Sequence, residues 1–181
     1  MNKQLIDYVR VYRSAISAAD QHEVLRQLAS VEWEQHNFYS DEGLVNHGTE
    51  PFEFHGSIDS TPVLQKIIWE SLRKYILEDI NFPWFSGWHG FSNIKFIKYD
   101  EDSEMVNHCD HIQHGAAGIP ILSVIGVLNN DYQGGEFVLF DDHTVELTAG
   151  DVIIFPSVFL YPHRVNKIIK GSRYSFVAWC S

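Results

Sequence analysis

The sequence predicts a mainly β, α+β fold, with an N-terminal helical layer packed on a C-terminal double-sheet structure of the sandwich or jelly-roll kind. Three observations carry this. From residue 94 onward, eight short β-rich runs follow one another between turn signals. Before residue 80, two segments instead repeat apolar residues at three- and four-residue steps. At 181 residues, a folded chain buries roughly 70% of the surface its unfolded form exposes, so one domain can build its core without disulfides or structural metals.

In chain order, the first helix is expected over 17–29. Ser17 and Asp20 stand in capping-box spacing, and Val24, Leu25 and Leu28 share a face. The second begins at Thr61-Pro62, a cap residue followed by proline at the first helical position. Leu64, Ile67, Ile68, Leu72, Tyr75 and Ile76 then mark its core face. Residues 32–60, broken by Gly43, Gly48 and Gly56, read as loop with at most a short strand, and the aromatic, glycine-rich 81–92 reads as loop. The expected strands are 94–99, 105–112, 119–128, 135–140, 143–147, 151–155, 163–169 and 173–180. Turns fall at Asn129-Asn130-Asp131, Gly134-Gly135, Asp141-Asp142, Ala149-Gly150-Asp151 and Lys170-Gly171. The chain 1–181 is thus read as one domain, with 1–93 a helical and loop support and 94–181 the jelly-roll core.

Charge narrows the partners. Thirteen Lys and Arg against 24 Asp and Glu give −11, which disfavours a phosphate-binding surface and hence nucleic acid. Cys109 and Cys180 are the only cysteines, too few for a disulfide framework or a Cys-rich zinc site. With no apolar run of signal-peptide or membrane-spanning length, the expectation is a cytoplasmic protein without membrane contact.

The chemistry concentrates around His108-Cys109-Asp110. In a strand, residues two apart face the same way, so His108 and Asp110 can share an ion while Cys109 points elsewhere and packs. His163, at the start of the seventh run, can complete a two-histidine, one-carboxylate face, a ligand set characteristic of non-haem Fe(II) oxygenases. Arg173 and Ser175 share a face of the last run. The guanidinium fork matches a carboxylate bidentately, and the hydroxyl can add a further bond. His111 and His114 read as polar loop residues.

The order Tyr99, His108-x-Asp110, Gly134-Gly135-Glu136, Gly150-Asp151, His163 and Arg173-x-Ser175 resembles the 2-oxoglutarate/Fe(II)-dependent dioxygenases, in particular the prolyl 4-hydroxylase-like branch with short bacterial and phage members. The resemblance implies a double-stranded β-helix, with iron held by His108, Asp110 and His163 and 2-oxoglutarate bound by Arg173 with Ser175 and Tyr99. It implies hydroxylation of a substrate, a prolyl or other peptidyl residue or a small molecule, with release of succinate and CO2. Fe(II), 2-oxoglutarate and O2 are then required, and ascorbate is admitted as an accessory. The pattern departs from prolyl 4-hydroxylases proper at Arg173, where lysine is frequent, and in the acidic stretch Asp100, Glu101, Asp102 and Glu104. Those carboxylates, with an aromatic wall from Trp84, Phe85, Trp88 and His89, suggest a pocket rim that favours a basic substrate. Two rivals use the same ligands: a non-catalytic cupin-like binding module and a zinc hydrolase. Neither needs a carboxylate clamp such as Arg173 with Ser175.

Overall fold

The computed structural model describes residues 3–40, 43–46, 48–81, 90–111 and 119–181. In chain order its elements are β1 (Arg10–Tyr12), α1 (Ala18–Leu28), β2 (Glu34–Gln35), β3 (Phe38–Ser40), β4 (Gly43–Val45), β5 (Phe52–Phe54) and α2 (Thr61–Lys74). There follow β6 (Lys95–Tyr99), β7 (Met105–His108), β8 (Leu122–Val127), β9 (Tyr132–Gly134), β10 (Phe137–Leu139), β11 (His143–Val145) and β12 (Val152–Pro156). The last three are β13 (His163–Val165), β14 (Ile168–Gly171) and β15 (Arg173–Cys180).

Two antiparallel sheets form the body, one ordered β1-β12-β8-β15-β6-β5-β2 and the other β11-β10-β13-β7. Period-two alternation sorts the long sheet's side chains. Phe96, Val124, Ile154 and Phe176 face α1 and α2 and join Val24, Leu28, Leu64, Ile68 and Leu72 in one core. Their strand neighbours Ile97, Ile153, Phe155 and Val177 face the short sheet and meet Phe137, Leu139 and Val165 in a second core. Both faces of the long sheet are covered, which is why β12 and β15 read as nearly unbroken apolar runs. This is the expected mainly β architecture with a helical layer on one sheet.

The cap expected for α1 forms, whereas Thr61, expected to cap α2, is its first helical residue and the cap position, Ser60, makes no side-chain cap bond. Ser17 caps α1, its Oγ accepting from the Asp20 amide at 3.1 Å and donating to the Asp20 carboxylate at 2.6 Å. Pro62 opens α2, but the helix does not continue regularly through Tyr75 and Ile76. They lie in a π-helical turn, Tyr75–Ile80, closed by Asn81 in the left-handed region at φ 48.

Three expectations change. Residues 32–60 hold four short strands rather than loop, and β5 and β2 extend the long sheet beyond β6. The run 163–169 divides into β13 and β14, and β14 pairs with β9, which sequence periodicity passed over. The N-terminal segment contributes β1, paired to β12 through Arg10–Ile154. These strands are only two to four residues long, too short for alternation to register, and pairing with distant partners decides them. Most of the loop expected over 81–92 falls outside the described residues.

Candidate functional site

β7 and β13 are antiparallel neighbours, and their register sets His108 opposite His163. The ring centroids are 4.3 Å apart. Asp110 does not belong to the strand, because β7 ends at His108 and the chain turns out of the sheet at Cys109. It nevertheless closes the group: Asp110 Oδ1 lies 3.6 Å from His108 Nε2 and Oδ2 lies 3.8 Å from His163 Nε2. Ligand atoms of the three residues all fall within 4.8 Å of one another, close enough to hold one metal ion. Strand parity therefore is not what joins His108 to Asp110. It also fails for Cys109, which lines the same pocket and directs its Sγ to the Phe159 carbonyl at 3.5 Å.

Each histidine is set by its own backbone. His108 Nδ1 is 2.8 Å from the Val106 carbonyl and His163 Nδ1 is 3.2 Å from that of Tyr161. A carbonyl only accepts, so both protons sit on Nδ1 and both Nε2 lone pairs face the centre. Burial, with the His163 ring beside it, pushes the His108 imidazole down to about 4, which keeps it neutral and ready to ligate. Burial alone would raise the Asp110 carboxyl. His163, His108 and hydrogen bonds from Ser123 and Trp179 outweigh it and hold Asp110 below the ordinary carboxylate range. Ser123 Oγ donates to Asp110 Oδ2 at 2.6 Å and lies 2.8 Å from Ser157 Oγ.

Arg173 and Tyr99 are register partners on β15 and β6, the guanidinium carbon 5.2 Å from the ring centroid. Arg173 is 2% exposed, and among the described residues no carboxylate reaches ion-pairing distance of it. Its Nη1 donates to Ser175 Oγ at 3.0 Å, while its Nε is buried with no partner. A buried guanidinium left this incompletely satisfied is costly unless an anion completes it, and a dicarboxylate such as 2-oxoglutarate has the matching chemistry. Gly135, in the left-handed region at φ +69, makes room for it: a Cβ there would lie 3.1 Å from Arg173 Cδ. Burial pushes the Tyr99 phenol up to about 12, so it stays protonated.

His108, Asp110, His163, Tyr99, Arg173 and Ser175 thus line one pocket of about 180 Å³ between the two sheets. His111 is exposed outside it. His114, Trp84, Phe85, Trp88 and His89 lie outside the described residues. The acidic stretch is not at the pocket rim: Asp100 meets Lys98 at 2.7 Å and Ser172 at 2.6 Å. Glu101 accepts from the Gly171 amide at 3.2 Å, and Asp102 is 3.7 Å from Lys167. Sequence reasoning also missed His36, Lys95 and Trp179, which line the pocket, and Glu53 behind them. The alternation Phe52-Glu53-Phe54-His55 is the one signal that marks that strand.

Fold and pocket together define a double-stranded β-helix protein with a two-histidine, one-carboxylate group in the pocket between its sheets. Residues 94–181 match the model of the 2OG-Fe(II) oxygenase superfamily. A PKHD-type hydroxylase of Methylobacterium nodulans is 34% identical over 94 residues, covering 46% of this chain and 40% of that protein. Another from Hyphomonas neptunium is 28% identical over 134 residues, covering 68% of this chain and 56% of that one. The chain therefore spans about half the length of the curated relatives it matches. In fold it is similar to a prolyl hydroxylase from Trichoplax adhaerens, solved with a peptide fragment of a hypoxia inducible factor oxygen degradation domain. The TM-score is 0.75 at 14% identity, over 96% of this chain and 83% of that one. No helix among the described residues is long and apolar enough to cross a membrane.

Proposed function

We propose that the protein is a 2-oxoglutarate-dependent Fe(II) dioxygenase that hydroxylates a small-molecule or peptidyl substrate, with His108, Asp110 and His163 holding the metal and Arg173, Ser175 and Tyr99 holding 2-oxoglutarate. The observation that carries it is the pairing, in one pocket, of a three-ligand group with a buried arginine that has no carboxylate partner among the described residues. A cupin-like module or a zinc hydrolase would use the first but leave the second without a purpose. The chain 1–181 acts in this reading as one unit, ascorbate is an accessory reductant, and the two free cysteines fit a reducing cytoplasm.

When bound, iron and 2-oxoglutarate supply the oxidative chemistry: one oxygen atom of O2 enters a substrate C–H bond and the other enters succinate as CO2 leaves. The chain supplies geometry and exclusion of water. His108 and His163 present Nε2 lone pairs because their Nδ1 protons are bound to the Val106 and Tyr161 carbonyls. Asp110 stays ionised and oriented through Ser123. Arg173 offers charge and directed N–H groups to the distal carboxylate, with the Ser175 hydroxyl beside it. Ile97, Ile125, Phe137 and Val177 keep the pocket wall apolar.

Anaerobic addition of Fe(II) and 2-oxoglutarate tests this. The expected result is a weak visible charge-transfer band, followed on admission of O2 by succinate release. Asp110→Ala and His163→Ala should each lose both signals. Full 2-oxoglutarate turnover in both variants would remove the assignment.

A further inference from the structure

We propose that His36 is a substrate-binding residue of this pocket, whose Nε2 accepts a hydrogen bond from a neutral amide N–H of the substrate. The inference deepens the dioxygenase reading and rests on it for the reaction, though not for the binding.

His36 lies just after β2 and lines the pocket together with His108. Its backbone is held on both sides: its amide donates to the Pro51 carbonyl at 2.9 Å and its carbonyl accepts from Asn46 Nδ2 at 2.9 Å. Its Nδ1 is 2.6 Å from Glu53 Oε1. That oxygen also accepts from Lys95 Nζ at 2.8 Å, and Oε2 lies 3.1 Å from His55 Nε2. Glu53 is 7% exposed. Burial by itself would raise its carboxyl, but the His36 hydrogen bond and the Lys95 charge override this and bring it to about 2. An ionised carboxylate only accepts, so the His36 proton sits on Nδ1. In the neutral ring Nε2 then carries the lone pair, and it is buried with no hydrogen-bond partner. A buried acceptor left open is destabilising, and a ligand donor would relieve it.

Charge selects the donor. Lys95 balances Glu53, Asp110 sits between two histidines, and Arg173 is matched to the cosubstrate. Among the described residues, no carboxylate lining the pocket is left over to pair with a substrate cation, and no cation to pair with a second anion. A neutral N–H donor satisfies His36 without adding an unpaired charge, and the amide of a peptide or a carboxamide is the commonest such group.

The test needs no known substrate. With 15N-histidine-labelled protein carrying Zn(II), which is diamagnetic, and 2-oxoglutarate, the His36 Nε2 resonance reads the proposed hydrogen bond directly. It should move on titration with N-methylacetamide but not with methyl acetate, which lacks the donor, or with methylammonium, which adds charge. His36→Phe should remove the response. In turnover with a panel of N-acetyl amino-acid amides, His36→Phe should raise KM about tenfold, the value of one hydrogen bond of about 1.4 kcal/mol. His36→Gln, which keeps an acceptor and guards against a folding artefact, should recover most of it. A protonated Nε2, an equal response to methyl acetate or methylammonium, or an unchanged KM in His36→Phe overturns the proposal. If the parent consumes no 2-oxoglutarate while N-methylacetamide still moves Nε2, the oxygenase reading fails and the amide site stands.

Discussion

His108 and His163, far apart in the chain, are direct cross-strand partners on β7 and β13. Because each ring is tethered through Nδ1 to a carbonyl two residues earlier, the pairing register alone brings both Nε2 atoms to one point. Asp110 is then held to that point by a side chain from the other sheet, Ser123 on β8.

Ser123→Ala removes the donor to Asp110 Oδ2 and leaves the three ligands in place. Outer-shell changes of this kind cost roughly 10–100-fold in metal affinity, and about tenfold is expected here because Trp179 still supports the carboxylate. Competition titration with Mn(II) or Fe(II) measures it. Equal affinity in parent and variant would show that Asp110 needs no such support.

Arg173→Met should separate binding from stability. The side chain is buried without a carboxylate partner, so an apolar replacement is expected to leave unfolding in the absence of 2-oxoglutarate unchanged or make it harder. Losing the partner of the cosubstrate carboxylate should cost about 2–5 kcal/mol, or roughly 30-fold and more in 2-oxoglutarate KM. Urea titrations with and without 2-oxoglutarate should show the ligand stabilising the parent only. A large loss of ligand-free stability would make Arg173 a structural residue.

Glu53 makes stability depend on pH in acid. Its carboxyl falls from 4.5 when unfolded to about 2 when folded, so its contribution is present above pH 4.5 and is lost as the pH drops through about 2. The shift corresponds to about 3 kcal/mol at most. Glu53→Gln should therefore be less stable than the parent at neutral pH, with the gap narrowing steadily between pH 4.5 and 2. Urea midpoints across that range check it. A gap that stays constant would assign the loss to packing rather than ionisation.

Gly126, on β8, underlies the tight packing of the last strand. A Cβ there would collide with the ring of Phe176, which is fully buried between β15 and the helices. Gly126→Ala is expected to cost about 1–3 kcal/mol and to lower Tm by several degrees, read by thermal unfolding. A variant as stable as the parent would mean the ring can move aside.

Much of this site was legible before folding. Residue types and spacing single out His108, Asp110, His163, Arg173 and Ser175, the family resemblance adds Tyr99, and all six line the pocket. Strand parity does not join His108 to Asp110, since it requires both residues in the strand and β7 ends at His108. His36, Glu53 and Lys95 were not found, because nothing local marks a glutamate in a three-residue strand as buried or a histidine as facing a distant metal group.

The sequence by itself determined the class of fold, the capped start of α1, the proline in the first turn of α2, the bounds of β15 and the residues that meet in one pocket. These depend on periodicity, capping and side-chain chemistry, which act within a few residues. Only the tertiary structure decided that 32–60 adds β2 and β5 to the long sheet, and that Asp100 pairs with Lys98 and Ser172 while Asp102 stays exposed near Lys167. It also decided that Glu53 meets His36 Nδ1 where that ring lines the pocket. These depend on pairing register and burial between segments far apart in the chain, where the free energy comes from the partner and not from the local sequence.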